Sequence, residues 1–518
     1  MYYFLNPTVT VQQSGVGHAE IKRFQLFKSF NKPVKILTTN FDMSLTKGLE
    51  ASGVDNKSSL NLFDFFGDME GIASQKFTVA DLNIDKTLDV QPTENNMIDV
   101  LRGAERKMQI VLRDDGEQFD HVSYFDTNKR LVEVDWWDPR GFKSLQQIYD
   151  RSGSARVERA FNNKGKLFYE TYHFGKEYDK IDNSSYRIID YKGVDWDFNS
   201  TKQLATFFFD EVTKRDRERG EHTVIVNDAS FELSWSLLHM KENAFVAMQL
   251  HSNHTNDPIE TLHSGINFNY EYALNNFKKW DAMIAPTETQ ATNLRKRFGD
   301  NPETFVVPVG VVSDDVLNAP KQDFDKRTPG KIVMIARLSH EKRIDHAIKA
   351  FAKALEKVPG MTLDIYGYAN DKSGDIAKKL VKDLNLTKAV SFMGYTQDIN
   401  AVYDQAQLSI LTSEAEGLPL SLIEAQSHGV PLASYDINYG PRDVINDGKD
   451  GLLVEAGNID AMGDAIAKIM GDDELRRQFS ETAYESRMKY SKENVWKQWQ
   501  IFDQGATKYF ESTEGGNN

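Results

Sequence analysis

Short apolar runs separated by polar, helix-like stretches recur at both ends of the chain, and a different rhythm occupies the middle. Residues 1–5 are an apolar run, followed by "QQSGVGHAEIKRFQLFKSF" and then "VKILTTN" at 34–40. This predicts a strand, a glycine-bearing loop running into an amphipathic helix, and a second strand, which is a βαβ beginning. From about residue 100 to 195 apolar and polar residues alternate with period two, with many aromatics. "VSYFDTNKRLVEVDWWD" and "RAFNNKGKLFYETYHFG" each carry an Asn-Lys turn between strand-like flanks, the pattern of hairpins in an antiparallel meander. The βα rhythm then returns at "HTVIVND" (222–228), "AFVAMQLHSNH" (244–254) and "WDAMIAPTETQ" (280–290).

"NAPKQDFDKRTPGK" (318–331), rich in Pro, Gly and charge, reads as a linker. Beyond it six further strands are expected at "KIVMIAR", "TLDIYG", "AVSFMG", "LSILTS", "PLASYD" and "GLLVE", then an amphipathic helix near 493–510 and a disordered tail, "STEGGNN". The expected fold class is α/β, with two Rossmann-like domains facing a cleft. Residues 1–75 and 196–318 form the first domain, with a C-terminal helix at 495–512 packing back onto it. Residues 76–195 form a β-rich insertion, and 319–494 the second domain.

Composition changes this picture little. A chain of 518 residues is too long for one core, and 40% hydrophobic with 27% charged residues is ordinary for a globular protein. The formal net charge of −15 argues against a general nucleic-acid binder. With no cysteine there is no disulfide, thiol catalysis or Cys-ligated zinc. The first fifteen residues lack a basic stretch followed by an apolar core, and no run approaches the ~20 apolar residues that span a bilayer. A cytoplasmic protein with at most peripheral membrane association is expected.

Candidate chemistry gathers in the second half. Arg337 ends a strand and Lys342 follows five residues on, near a helix start. Arg forks onto phosphate oxygens and Lys supplies a point charge, so the pair suits a diphosphate; a solvated basic turn is the plain alternative. In "TSEAEGLPLSLIEAQSHGVP" (412–431), Pro419 sits where a first-turn proline is welcome, and the N–H groups of Leu420 and Ser421 face any anion at the helix N-terminus. Glu424, one turn in, suits ribose hydroxyls, and Glu416, before the turn, the hydroxyls of a sugar on the diphosphate. Each glutamate alone is more often a surface acid. His251 and His254 have metal-like HxxH spacing, but no third ligand presents itself.

Arg337-x4-Lys342 followed by Glu416-x7-Glu424 resembles the retaining GT-B glycosyltransferases of family 4. "VPVGVV", "IYGYA" (365–369), "FMGYTQDI" (392–399) and "YGPRDVI" (439–445) support it. The resemblance implies that Arg337 and Lys342 contact the donor diphosphate, Glu424 the ribose and Glu416 the transferred sugar. It places the uracil at Gly394 and Tyr395, His251 beside the sugar, and Gly15 and Gly17 in a loop that lets backbone approach the diphosphate. It makes the first domain the acceptor side and the second the nucleotide-sugar side. Glu416, His251, Arg337 and Lys342 are thus the expected catalytic group. No metal and no cofactor beyond a UDP-glucose or UDP-GlcNAc donor is expected, because side-chain cations hold the leaving charge. With its β-rich insertion the chain is similar to the branch of that family that glycosylates wall teichoic acid poly(polyol-phosphate), poly(glycerol-phosphate) α-glucosyltransferases included. It also resembles the related accessory-secretion O-GlcNAc transferases acting on Ser/Thr of serine-rich proteins. Homo-oligomers through the insertion are expected on the first reading and a partner subunit on the second.

Overall fold

A computed structural model describes residues 1–174, 183–369 and 371–515. Residues 175–182 of the expected meander and 516–518 of the expected tail lie outside them. The chain forms two compact units, Met1–Gly17 with Pro33–Ala244, and His18–Lys32 with Phe245–Asn518.

In the first unit, strands Val224–Asn227, Tyr2–Asn6, Val34–Thr38 and Ser59–Asn61 lie side by side in that order, all parallel. Tyr3, Phe4, Leu5, Ile36, Leu37, Ile225 and Val226 are buried, as parallel strands covered on both faces require. The middle of the chain forms a ten-stranded antiparallel sheet from Asp89–Pro92 to Val194–Phe198 in which every strand pairs with its sequence neighbours. This is the expected meander. Both hairpins read from the sequence are present, Phe119–Phe125 with Leu131–Asp138 and Ala155–Phe161 with Leu167–Phe174. Residues 77–88 add Phe77, Val79, Leu82, Ile84 and Leu88 to a core built on Val100, Ile110, Phe119, Val122 and Trp137. Trp137 and Tyr169 are buried rather than displayed.

The second unit contains parallel strands Phe245–Gln249, Ala282–Ala285 and Glu303–Val306 and a separate six-stranded parallel sheet. That sheet has the order Val390–Gly394, Thr362–Tyr366, Lys331–Ile335, Leu408–Leu411, Leu432–Asp436, Gly451–Glu455. Numbered along the chain this is 3-2-1-4-5-6, the doubly wound Rossmann order, whose strand order reverses between the parallel neighbours Lys331–Ile335 and Leu408–Leu411. Helix Ile344–Lys357 turns Ile344, Ala347, Ile348, Phe351 and Ala354 inward, the i, i+3, i+4, i+7 stripe of an amphipathic helix.

Three expectations change. Helix Gly15–Ser29 already includes both glycines, so the expected glycine loop is a first helical turn. The segment 318–331 is anchored: Arg327, 1% exposed, donates to the carbonyls of Tyr403, Ala406 and His428. These acceptors lie at the C-terminal ends of helices Ile399–Gln405 and Leu420–Ser427, which linker composition does not reveal. Residues 512–515 continue the helix Lys492–Gly515, so the first part of the expected tail is helical. In that helix Trp496, Trp499 and Phe502 pack on Phe27, Phe30, Phe245 and Phe305, all within the second unit.

Candidate active site

The switch point of a doubly wound sheet is where two neighbouring crossovers leave in opposite directions and open a crevice at the strand ends. The expected chemistry lies there. Beyond Lys331–Ile335 the chain reaches Arg337, then a 3-10 turn His340–Lys342, and Arg343 in the left-handed region (φ 45°) before the next helix. Beyond Leu408–Leu411 it runs through Thr412 to Glu416. The two turns are tied together. Thr412 Oγ1 donates to the carbonyls of Lys342 and Arg343 at 3.1 and 3.0 Å, and Glu414 N donates to Glu341 O at 2.8 Å.

At the centre, Lys342 Nζ lies 2.6 Å from Glu416 Oε1, with side chains 16% and 14% exposed. Ser413 Oγ donates to the same carboxylate oxygen at 2.7 Å. Arg337 is exposed and pairs with Glu341 at 3.0 Å, while Ser339 Oγ donates to Glu341 at 2.7 Å. The Glu341 carboxyl is partly desolvated, but the Ser339 hydroxyl and the neighbouring cations hold it below the ordinary carboxylate range. Arg337, Lys342 and Glu416 are therefore brought together, with Arg337 turned to solvent and Lys342 held inward.

Glu416 is also fixed through its main chain. Its carbonyl accepts from Tyr439 N at 2.9 Å and its N–H donates to Asn438 O at 3.4 Å. "YGPRDVI" thus buttresses the glutamate turn, a role its sequence does not announce. The next residue, Gly417, lies against the His251 backbone: a Cβ there would stand 2.4 Å from His251 O. His251, just past strand Phe245–Gln249, donates its N–H to the Tyr270 hydroxyl at 2.9 Å, and Ser252 N does the same at 3.1 Å. Tyr270 is a positioning residue that sequence reading missed.

Pro419 is the N-cap of helix Leu420–Ser427 rather than its first helical residue, with φ −71° and ψ 108°. Leu420 and Ser421 supply the first two helical N–H groups, which have no partner within the helix itself. Glu424, one turn on, pairs with Lys22 at 2.6 Å. Gly394 (φ 77°) ends strand Val390–Gly394, and the ring of the next residue, Tyr395, meets Tyr368 edge-on at 6.1 Å. Gly15 and Gly17 belong to the first unit; a Cβ on Gly17 would meet only the end of the flexible Gln13 side chain, and one on Gly15 nothing within 4 Å.

His254 is set deeper than the half-buried His251. It is fully buried, its ring stacks at 6.0 Å on Tyr439, and burial, with Arg297 nearby, pushes its pKa down to about 4. Neither ring nitrogen has a hydrogen-bond partner among the described residues. No group of three or more His, Cys, Asp or Glu placed to hold a metal ion occurs among those residues. No helix among them is long and apolar enough to cross a membrane.

Comparison with known proteins bears on the fold and on the second half of the chain. Residues 318–486 match the family model described as glycosyl transferases group 1. A poly(glycerol-phosphate) alpha-glucosyltransferase of Bacillus subtilis is 24% identical over 96% of this chain and 74% of its own. A poly(ribitol-phosphate) alpha-N-acetylglucosaminyltransferase of Staphylococcus aureus is 24% identical over 94% of this chain and 96% of its own. The crystal structure of the pneumococcal O-GlcNAc transferase GtfA, in complex with UDP and GlcNAc, superposes with a TM-score of 0.81 at 19% identity, covering 98% of this chain and 99% of that one. Over residues 318–486 the chain matches the group 1 glycosyl transferases, and its architecture is the GT-B fold.

Proposed function

We propose that this protein is a retaining, UDP-sugar-dependent hexosyltransferase that moves glucose or GlcNAc onto hydroxyls of a wall teichoic acid poly(polyol-phosphate) chain. The observation that carries the reading is the Lys342–Glu416 pair, beside Arg337, at the switch point of the Rossmann-ordered sheet. Arg337 and Lys342 neutralise the diphosphate as the bond from the sugar C1 to the phosphate oxygen breaks. The helix N-terminus at Leu420 and Ser421 faces the same anion. Glu416 orients the sugar hydroxyls, His251 stands beside the sugar, Glu424 takes the ribose, and Gly394 and Tyr395 the uracil. Gly15 and Gly17 allow close backbone approach to the diphosphate. The acceptor hydroxyl attacks C1 on the face the nucleotide leaves, and its proton passes to the departing phosphate oxygen. No metal is required in this scheme, because protein cations hold the leaving charge. The reaction is cytoplasmic.

A second reading, O-GlcNAc transfer to Ser/Thr of a serine-rich protein, is favoured by the likeness to the pneumococcal enzyme. The two separate in one experiment. The purified chain alone is given labelled UDP-glucose or UDP-GlcNAc with poly(polyol-phosphate) or a Ser-rich polypeptide. Label in the polymer supports the first reading. Label only in the polypeptide, and only with a second subunit added, replaces it with the second.

A further inference from the structure

The two glutamates of the x7 motif each carry a lysine at the same distance: Lys342 on Glu416 and Lys22 on Glu424, both 2.6 Å from Oε1. The first lysine belongs to the neighbouring turn. The second comes from the other end of the sequence, on helix Gly15–Ser29.

That helix is held firmly within the second unit. Arg23, 5% exposed, donates to Gln249 Oε1 at 3.5 Å and lies 5.7 Å over the Trp499 ring. Phe27 meets Trp496 and Trp499 edge-on at 5.1 and 5.2 Å, Phe30 stacks on Trp496 at 4.6 Å, and Lys32 pairs with Asp503 at 2.7 Å. Lys22 is thus delivered from a rigid element, yet it and Glu424 keep 27% and 25% of their side-chain surface. A pair that keeps about a quarter of its side-chain surface remains accessible to a ligand.

We propose that Lys22 is a donor-binding residue that holds the Glu424 carboxylate in place for the ribose diol of a nucleoside diphosphate. This rests on the donor reading given above. A carboxylate offers about four acceptor positions, so one oxygen lone pair taken by Lys22 leaves the others for two hydroxyls. An uncharged side chain at position 22 leaves Glu424 free to turn to solvent, away from the ribose hydroxyls.

The test is calorimetric titration of the full chain with UDP and with 2′,3′-dideoxy-UDP, which lacks both hydroxyls. The wild type is expected to prefer UDP by about tenfold or more. Lys22→Met should weaken UDP by about tenfold, leave dideoxy-UDP nearly unchanged, and so erase the preference, with Lys22→Arg restoring most of it. Lys22→Gln, which keeps a polar side chain, should behave as Met does and guards against a folding defect in one variant. A preference retained in both uncharged variants makes the pair merely structural and overturns the assignment. Equal loss of both ligands moves Lys22 to the phosphates and overturns it too. A wild type that binds UDP but does not distinguish the two nucleotides removes the Glu424 role and Lys22 with it. A wild type that binds neither overturns the donor reading itself.

Discussion

Glu416 is held from four directions: by Lys342 and Ser413 on its carboxylate, and by Asn438 and Tyr439 on its main chain. Such a side chain is already oriented before a substrate arrives, so its removal is felt in the transition state. Glu416→Ala and Lys342→Met should each lower turnover by about two to three orders of magnitude while circular dichroism stays native. Near-normal turnover in Glu416→Ala would sink the assignment. Gly417→Ala is a subtler case, since its new Cβ meets the His251 carbonyl at 2.4 Å and forces the backbone aside. It should cut turnover at least about tenfold with little change in UDP affinity. His254 gives a pH test. The unfolded chain protonates it near its ordinary 6.5, the fold only near 4, so the unfolded state binds more protons between these values. Stability is fully present above pH 6.5 and falls by roughly 3 kcal/mol as pH drops through that window. His254→Phe loses no hydrogen bond and should melt with a flatter pH profile than the wild type from pH 7 to 4.5; parallel profiles would refute this.

The elements of the ten-stranded sheet raise the question of assembly. Its edges, Asp89–Pro92 and Val194–Phe198, are exposed strands bearing Val90, Val194 and Trp196 at 41%, 53% and 40% exposure. Open edges pair with other chains. Light scattering after size exclusion should therefore find a homo-oligomer, and Val194→Lys should shift it toward monomer while UDP-sugar turnover on short acceptors is kept. A monomeric wild type would contradict this. Several sites on one assembly also grip a long polymer more tightly than one, and the effect should weaken with salt. The meander was legible because two-period alternation is a local signal. The parallel strands were legible because apolar runs such as Val333–Met334 neighbours need burial on both faces. The first turn of Gly15–Ser29 was misread because glycine pairs resemble loops until packing further along the helix decides. Alternation does not say which rings of the meander are buried: burial of Trp137 and Tyr169 depends on partners such as Phe77 and Phe63 that lie outside the alternating pattern.

At the scale of the molecule, the motif residues were legible as a site through the family resemblance, and the residues that touch them from elsewhere in the chain were not. Arg337 and Lys342 follow one strand, Glu416 follows its neighbour and Glu424 lies on the helix after it, and the family resemblance is what groups them in the sequence. Lys22 reaches Glu424, Tyr270 reaches His251, and Asn438–Tyr439 reach Glu416, each from elsewhere in the chain, and only the fold reveals these contacts. The proposed chemistry uses protein cations, so turnover should survive EDTA unchanged; a requirement for Mg²⁺ or Mn²⁺ would show that the leaving charge is held otherwise. The central claim, hexosyl transfer with retention, is tested most directly by proton NMR of the product formed from UDP-glucose or UDP-GlcNAc and poly(polyol-phosphate). The account predicts an α-linked hexose, matching the α configuration of the donor, with one UDP released per sugar transferred. A β-linked product, or no transfer from either donor to any hydroxyl acceptor, would contradict it.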